Sequence, residues 1–212
     1  DRELKFTCGT NGMAQATEHV FTITNVLTPS CVVAAGTVTM STHDSSDKRV
    51  DTTSSVTTEA ITAGAIGGSP RFETATDTPG FKDSATVTFT TAGQVQAGGF
   101  VQVVMPDLSA GSALQSEWSF EDPAVSYAAP KSGTPSAIAF FKASSRTLTV
   151  VTAGATMPQS TQHVITITNV RTPSSIVDAN QVRATTQDST GRTIDTTTSM
   201  ATDAIAAGAL VS

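Results

Sequence analysis

The chain has 212 residues, room for one large β domain or two ordinary ones with a real core. Its formal net charge is -6 and its 12 basic residues are scattered, which excludes a phosphate-binding surface and so nucleic acid as a partner; no apolar run approaches the roughly 18 residues of a membrane span. Charged residues make up only 14%, whereas 38 Thr and 23 Ser supply over a quarter of the chain, so uncharged hydroxyls build most of the surface.

Few Lys, abundant Thr and Ser, an acidic balance and two Cys describe an extracellular or cell-surface protein better than a cytosolic enzyme. The opening Asp1-Arg2-Glu3, with no Met and no signal peptide, reads as a polypeptide processed upstream.

Residues 19–66 laid over residues 163–210, at a constant offset of 144 and without a gap, match at 26 of 48 positions. The register runs backward too: Leu4 and Phe6 fall on Leu148 and Val150, and Met13 falls on Met157. Residues 67–146 have no upstream counterpart. Residues 1–59 therefore correspond only to the later part of a unit, residues 60–203 to a whole one, and the tail 204–212 (AIAAGALVS) to the lead-in 60–69 (AITAGAIGGS).

In chain order, short stretches alternate with period 2 and none shows the 3.6-residue period of an amphipathic helix, so an all-β chain is predicted. Leu4 with Phe6 and Phe21 with Ile23 open the first copy. In 85–91 (ATVTFTT), Val87 and Phe89 are expected to face a core while Thr86, Thr88 and Thr90 face out. Val101, Val103 and Met105 repeat the pattern, as do Ile138 with Phe140, Leu148 with Val150, and Ile165 with Ile167. Thr suits the outward positions because its β-branch fits a pleated strand and its hydroxyl stays solvated. Turn residues separate the stretches at Ala97-Gly98-Gly99, Pro106-Asp107, Lys131-Ser132-Gly133, Ala153-Gly154 and Asp188-Ser189-Thr190-Gly191. Strands every eight to twelve residues with one apolar face imply a sandwich of two antiparallel sheets.

The order VTFTTAGQVQAGGFVQVVMP, then SAIAFFKASSRTLTVVTAGATMPQSTQHVITITNVRTPSS, then a Thr-rich hairpin ending in Ile-Asp, resembles the Ig-like repeats of secreted surface proteins of microbes and algae. The Thr-rich tandem form also resembles protomers of glycan-coated extracellular fibrils built from Ig-like domains. The resemblance implies two tandem Ig-like antiparallel β-sandwich domains, the first incomplete and completed by a neighbouring chain.

A sandwich without its early strands presents unpaired backbone and an uncovered apolar face. Strand addition from a neighbour satisfies both, and if the donor is another copy of the chain the contact is heterologous and propagates. The expected donor is the tail 204–212, through Ile205, Leu210 and Val211; the expected acceptor is the open edge of residues 1–59, including Leu4 and Phe6. Nine residues cannot replace all the missing positions, so either the first domain is reduced or the neighbour contributes more. A window cut from a longer tandem protein is the alternative origin of this phase.

Residues that could carry chemistry are few. His19 and His163 hold equivalent positions, which suits a repeated structure better than a catalyst. His43, Asp44, Asp47 and Asp51 could offer oxygen ligands to a hard cation, but the second copy has Gln187 and Gly191 at two of those positions, and a polar hairpin turn is the better reading. No hydrolase elbow, zinc helix, Walker loop or dinucleotide fingerprint is present. Glu117, Glu121 and Asp122 around Trp118 and Phe120 read as a core or interface plug rather than a sugar-cleaving site. No enzyme, metal or cofactor is expected.

Cys8 and Cys31 are replaced by Thr152 and Ser175 in the second copy and look like a paired acquisition; a bridge would close a loop of about 23 residues and contribute roughly 3 kcal/mol. It requires the chain after Pro29 to fold back. The four Asn residues lack the N-x-S/T acceptor, leaving O-linked sugar as the glycan class. Thr28, Ser30, Thr172 and Ser174 in the Thr-Pro-Ser turns, and Thr52, Thr53, Thr196 and Thr197 in the hairpins, are the candidate sites; plain surface solvation accounts for the same hydroxyls equally well. The expected function is a structural subunit of an extracellular filament that partners copies of itself and carries covalent glycans. The alternative is an adhesin or carbohydrate-binding stalk.

Overall fold

Alternation of apolar residues with Thr becomes thirteen strands in a computed structural model, which describes residues 3–9, 12–108, 117–129 and 136–209. A hairpin of β1 (Thr37–His43) and β2 (Arg49–Thr57) stands as a two-stranded sheet of its own. The remaining strands are β3 (Gly64–Ala65), β4 (Gly67–Thr74), β5 (Lys82–Thr90), β6 (Phe100–Val104), β7 (Ser119–Phe120), β8 (Val125–Ala129), β9 (Ser136–Lys142), β10 (Thr147–Ala153), β11 (Gln162–Arg171), β12 (Gln181–Gln187) and β13 (Thr193–Thr202). No α-helix occurs among the described residues, and none of them forms a helix long and apolar enough to cross a membrane.

The two expected sheets are joined. The strand order is β7-β11-β5-β4-β13-β12-β6-β10-β9, with β3 added to β13 and β8 to β11. β4 is the seam: it runs antiparallel to β5 but parallel to β13, with Ala201 opposite Arg71 and Thr202 opposite Phe72. The sheet curls until β8 and β9 lie against each other, giving a nearly closed, barrel-like wall.

The predicted alternation fills this wall. Val87 and Phe89 of β5, Val101 and Val103 of β6, Leu148 and Val150 of β10, and Ile165 and Ile167 of β11 are all buried, as is Met105 after β6. At β9 the expectation is corrected: Ile138 and Phe140 are exposed, while Ala139 is buried and Phe141 packs against the core. The cause is register. Ala139 pairs with Val150 and Phe141 with Leu148, and directly opposed residues share a face of the sheet, so Ile138 and Phe140 go outward.

The first copy departs most from expectation. Residues 3–9 and 19–26 form no strands and are held to each other by a stack of Phe6 on Phe21 with ring centroids 5.3 Å apart. The period-2 pattern needs ladder partners to become a strand, and the complete unit shows what they are: β10 lies between β6 and β9, and β11 is flanked by β5 on one side and β7 and β8 on the other. The described residues of the first copy include no equivalent of those partners.

Candidate assembly surface on the N-terminal half unit

Equivalent residues of the two copies live in opposite environments. Leu4 is 62% exposed and Leu148 0%; Phe21 is 49% exposed and Ile165 0%; Ile23 is 47% exposed and Ile167 0%; Val26 is 65% exposed and Val170 1%. Val38, Met40 and Val50 of the free hairpin are likewise exposed, whereas Val182, Ala184 and Ile194 are core. These large apolar side chains stand in water, the kind of exposure that marks an interaction site rather than a finished domain.

The local geometry of the half unit is nevertheless already that of the whole one. Asp51 accepts a hydrogen bond from the Thr42 hydroxyl at 2.9 Å and its amide donates back to that hydroxyl at 3.1 Å. Asp195 and Thr186 make the same reciprocal pair at 3.1 and 3.0 Å. In the complete unit the Gly93 amide adds a further bond to Asp195 at 2.9 Å, and the carboxyl is fully buried; burial pushes its pKa up, against the bonds it accepts. Asp51 is exposed. From the sequence Asp195 is only the second copy's counterpart of Asp51 in a polar hairpin turn, and its buried bond with Thr186 is not foreseen, although a Thr and an Asp nine residues apart recur in both copies.

His19 and His163 follow the same rule. The His19 ring sits 3.1 Å from the Ala14 carbonyl and is exposed, and the His163 ring sits 3.4 Å from the equivalent Pro158 carbonyl and is buried beside Phe89. A carbonyl only accepts, so Nε2 of His163 carries the proton. Its Nδ1 is buried without a partner, and burial holds its pKa below 6.5.

The half unit is anchored to the complete unit at one joint. The Val32 amide donates to the Thr193 carbonyl at 2.9 Å, Cys31 is buried beside Asp188, and Val33 bridges Ile61 through bonds of 3.0 and 2.8 Å. The expected Cys8–Cys31 bridge is not formed in this structure: both thiols are free, Cys8 exposed and Cys31 buried at the joint.

The hairpin carboxylates are committed to the turn. Asp44 accepts the Ser46 and Lys48 amides at 2.9 Å, and Asp47 pairs with Lys5 at 3.2 Å and with His43 at 3.5 Å. The Lys5 ammonium holds the Asp47 carboxyl below its usual range. Among the described residues no three His, Cys, Asp or Glu side chains gather as metal ligands. Trp118 and Phe120 are buried, edge-on to Phe72 at 5.5 and 6.3 Å, so their faces are not a sugar platform.

The predicted donor and glycan positions divide. Ile205 is fully buried in its own unit and bonded both ways to Val177 at 3.1 and 2.7 Å, so it plugs its own core and is not offered to a neighbour; Leu210 and Val211 lie outside the described residues. Leu4 and Phe6 are exposed, as an acceptor face requires. Thr28, Ser30, Thr52, Ser174 and Thr196 are exposed, while Thr53 and Thr197 are half-buried and bonded to Ser55 and Ser199 at 2.9 and 3.0 Å. Thr172 is corrected: it is buried and its hydroxyl donates to the Thr78 carbonyl at 2.6 Å, leaving no room for a sugar. No protein-family model matches the chain, and no curated protein is significantly similar to it.

Proposed function

We propose that the protein is a structural subunit of an extracellular filament, composed of two tandem Ig-like β-sandwich domains of which the first is completed by a second copy of the chain. The observation that carries this reading is the reversal of burial between equivalent residues, Ile23 against Ile167 above all. A face whose every counterpart is core is a face awaiting a cover. Seven large side chains, each worth about 1.5–3 kcal/mol when fully buried, offset the roughly 4–15 kcal/mol of freedom lost on association. Because the missing strands are of the kind the complete unit carries, the cover is another copy, and a contact between two different surfaces of one chain propagates head to tail.

The main-chain part of the contact is strand complementation. The residues beyond Ala206 are the donor, Ile205 and the Ala206 amide, bonded to the Asp77 carbonyl at 2.8 Å, being the anchors that hold them to their own unit. Exposed hydroxyls at Thr28, Ser30, Ser174, Thr52 and Thr196 carry O-linked sugar on the fibre surface, which suits an extracellular location.

Negative-stain microscopy of the purified chain tests the reading: regular filaments are expected, and their loss after deletion of residues 206–212. Monodisperse particles at high concentration, particularly ones that bind a glycan array, would replace the filament with a stalk or adhesin.

A further inference from the structure

The joint between the two units of one chain has two halves, and each half exists twice. One half is a seat, Cys31-Val32-Val33, whose counterpart in the complete unit is Ser175-Ile176-Val177. The other half is a turn, Asp188 to Thr193, whose counterpart in the half unit is Asp44 to Arg49. Among the described residues only the first seat and the second turn are joined, through the Val32 amide to the Thr193 carbonyl, with the buried Cys31 beside Asp188. We propose that the remaining seat and the remaining turn meet between molecules: Ser175-Ile176-Val177 of one copy docks on the Asp44–Arg49 turn of a second copy. The proposal rests on the filament reading and specifies its contact.

Four observations converge on it. The turns are built alike: Asp188 accepts the Thr190 and Arg192 amides at 2.9 Å, as Asp44 accepts those of Ser46 and Lys48. The chain leaves both seats alike, since the Val33–Ile61 bridge is reproduced by Val177–Ile205. The empty seat is visibly unfilled: the Ser175 hydroxyl, at the place of the Cys31 thiol, is out of solvent with no hydrogen-bond partner, and the Ile176 amide has no partner among the described residues.

The fourth observation is charge. The joint within the chain has Ala34 two residues past Val32 and Thr193 on the turn, both uncharged. At the equivalent positions the unused seat carries Asp178 and the unused turn carries Arg49, both exposed and neither in an ion pair among the described residues. Opposite charges thus appear together on the unused seat, two residues past Ile176, and on the unused turn, at the residue equivalent to Thr193, whose carbonyl takes the Val32 amide. They also select the partner: a turn with Thr193 in place of Arg49 lacks the cation that Asp178 faces.

The same operation places the tail. Within the chain Gly64 and Ala65 lie parallel to Asp195 and Thr196; advanced by one repeat, Gly208 and Ala209 lie along Asp51 and Thr52 of the second copy. Gly64 is glycine because a Cβ there would run into the Asp195 carboxylate, and the tail keeps glycine opposite the retained Asp51.

The test is charge reversal and rescue, read by sedimentation velocity on the full chain. Asp178→Arg alone or Arg49→Asp alone is expected to weaken self-association by about tenfold or more, and the double variant to restore it to within about threefold. Both residues are exposed, so circular dichroism stays unchanged. A mixture of Ser175→Cys and Asp44→Cys chains, each with Cys8→Ser and Cys31→Ser, is expected to form a reducible crosslinked dimer. Filaments with single variants that associate like the parent, or a double that fails to rescue, overturn the joint and leave the filament standing. Crosslinking and rescue without filaments uphold the joint and overturn the filament. No association at any concentration overturns both.

Discussion

The backbone of Gly64 passes so close to Asp195 that a Cβ on Gly64 would run into the carboxylate Oδ1 and come within 2.7 Å of Ala92 Cβ. This near-contact lets β3 lie parallel to β13 while Asp195 holds the Gly93 amide. Gly64→Ala is therefore expected to lower the stability of the complete unit by about 1–3 kcal/mol in urea titrations. Gly67→Ala, whose Cβ points into open space, should leave it unchanged or raise it by about 0.4–1 kcal/mol.

Asp195 and Asp51 make a second matched pair. Asp195→Ala strips a buried amide and hydroxyl of their acceptor and is expected to cost about 1–3 kcal/mol. Asp51→Ala, with water at hand to replace it, should change the dispersed chain by less than about 0.5 kcal/mol. Denaturation of the two variants side by side checks this, and equal losses would mean that the half unit is already covered.

Ile167→Ala and Ile23→Ala extend the comparison to the apolar face. The first opens a cavity in the core and is expected to cost about 2–5 kcal/mol. The second removes an exposed side chain and costs the isolated chain little, but it should raise the concentration needed for filaments. Stability by denaturation and assembly by light scattering separate the two effects.

Acidification acts through His163. Its folded pKa lies below the ordinary 6.5 because the ring is buried, so the unfolded chain takes up the proton first. Stability present above pH 6.5 is lost as the pH falls below 6.5 and through the lowered folded value. Asp195 has the opposite sign, since its carboxyl is raised and binds its proton more tightly when folded, but that gain falls in the carboxylate range. His163→Gln should flatten the slope below pH 6.5 in thermal melts, and an unchanged slope would show that the ring is solvated.

The strands of the complete unit were legible because Val87, Phe89, Ile165 and Ile167 alternate with Thr, a contrast that leaves one choice of face. Ile138 and Phe140 were not, because Ala137 to Phe141 is apolar at both parities and only pairing with Val150 and Leu148 selects the inward set. The half unit was legible from the phase of the repeat, whereas its lack of strands at Leu4 and Phe21 follows from absent ladder partners, which are not local information. Cys31 illustrates the limit of spacing arguments: two lone cysteines suggest each other, but Cys31 is buried at the joint beside Asp188, more than a hundred and fifty positions away, while Cys8 is exposed.

The parallel seam has a mechanical meaning. The chain enters the complete unit along β3 and β4 and leaves it along β13, and these neighbours point the same way. Tension transmitted from one end of the polypeptide to the other drags them in opposite senses along their length. Their bonds are then strained side by side, rather than peeled open in succession, and a thread of such units resists pulling through its weakest rows acting together.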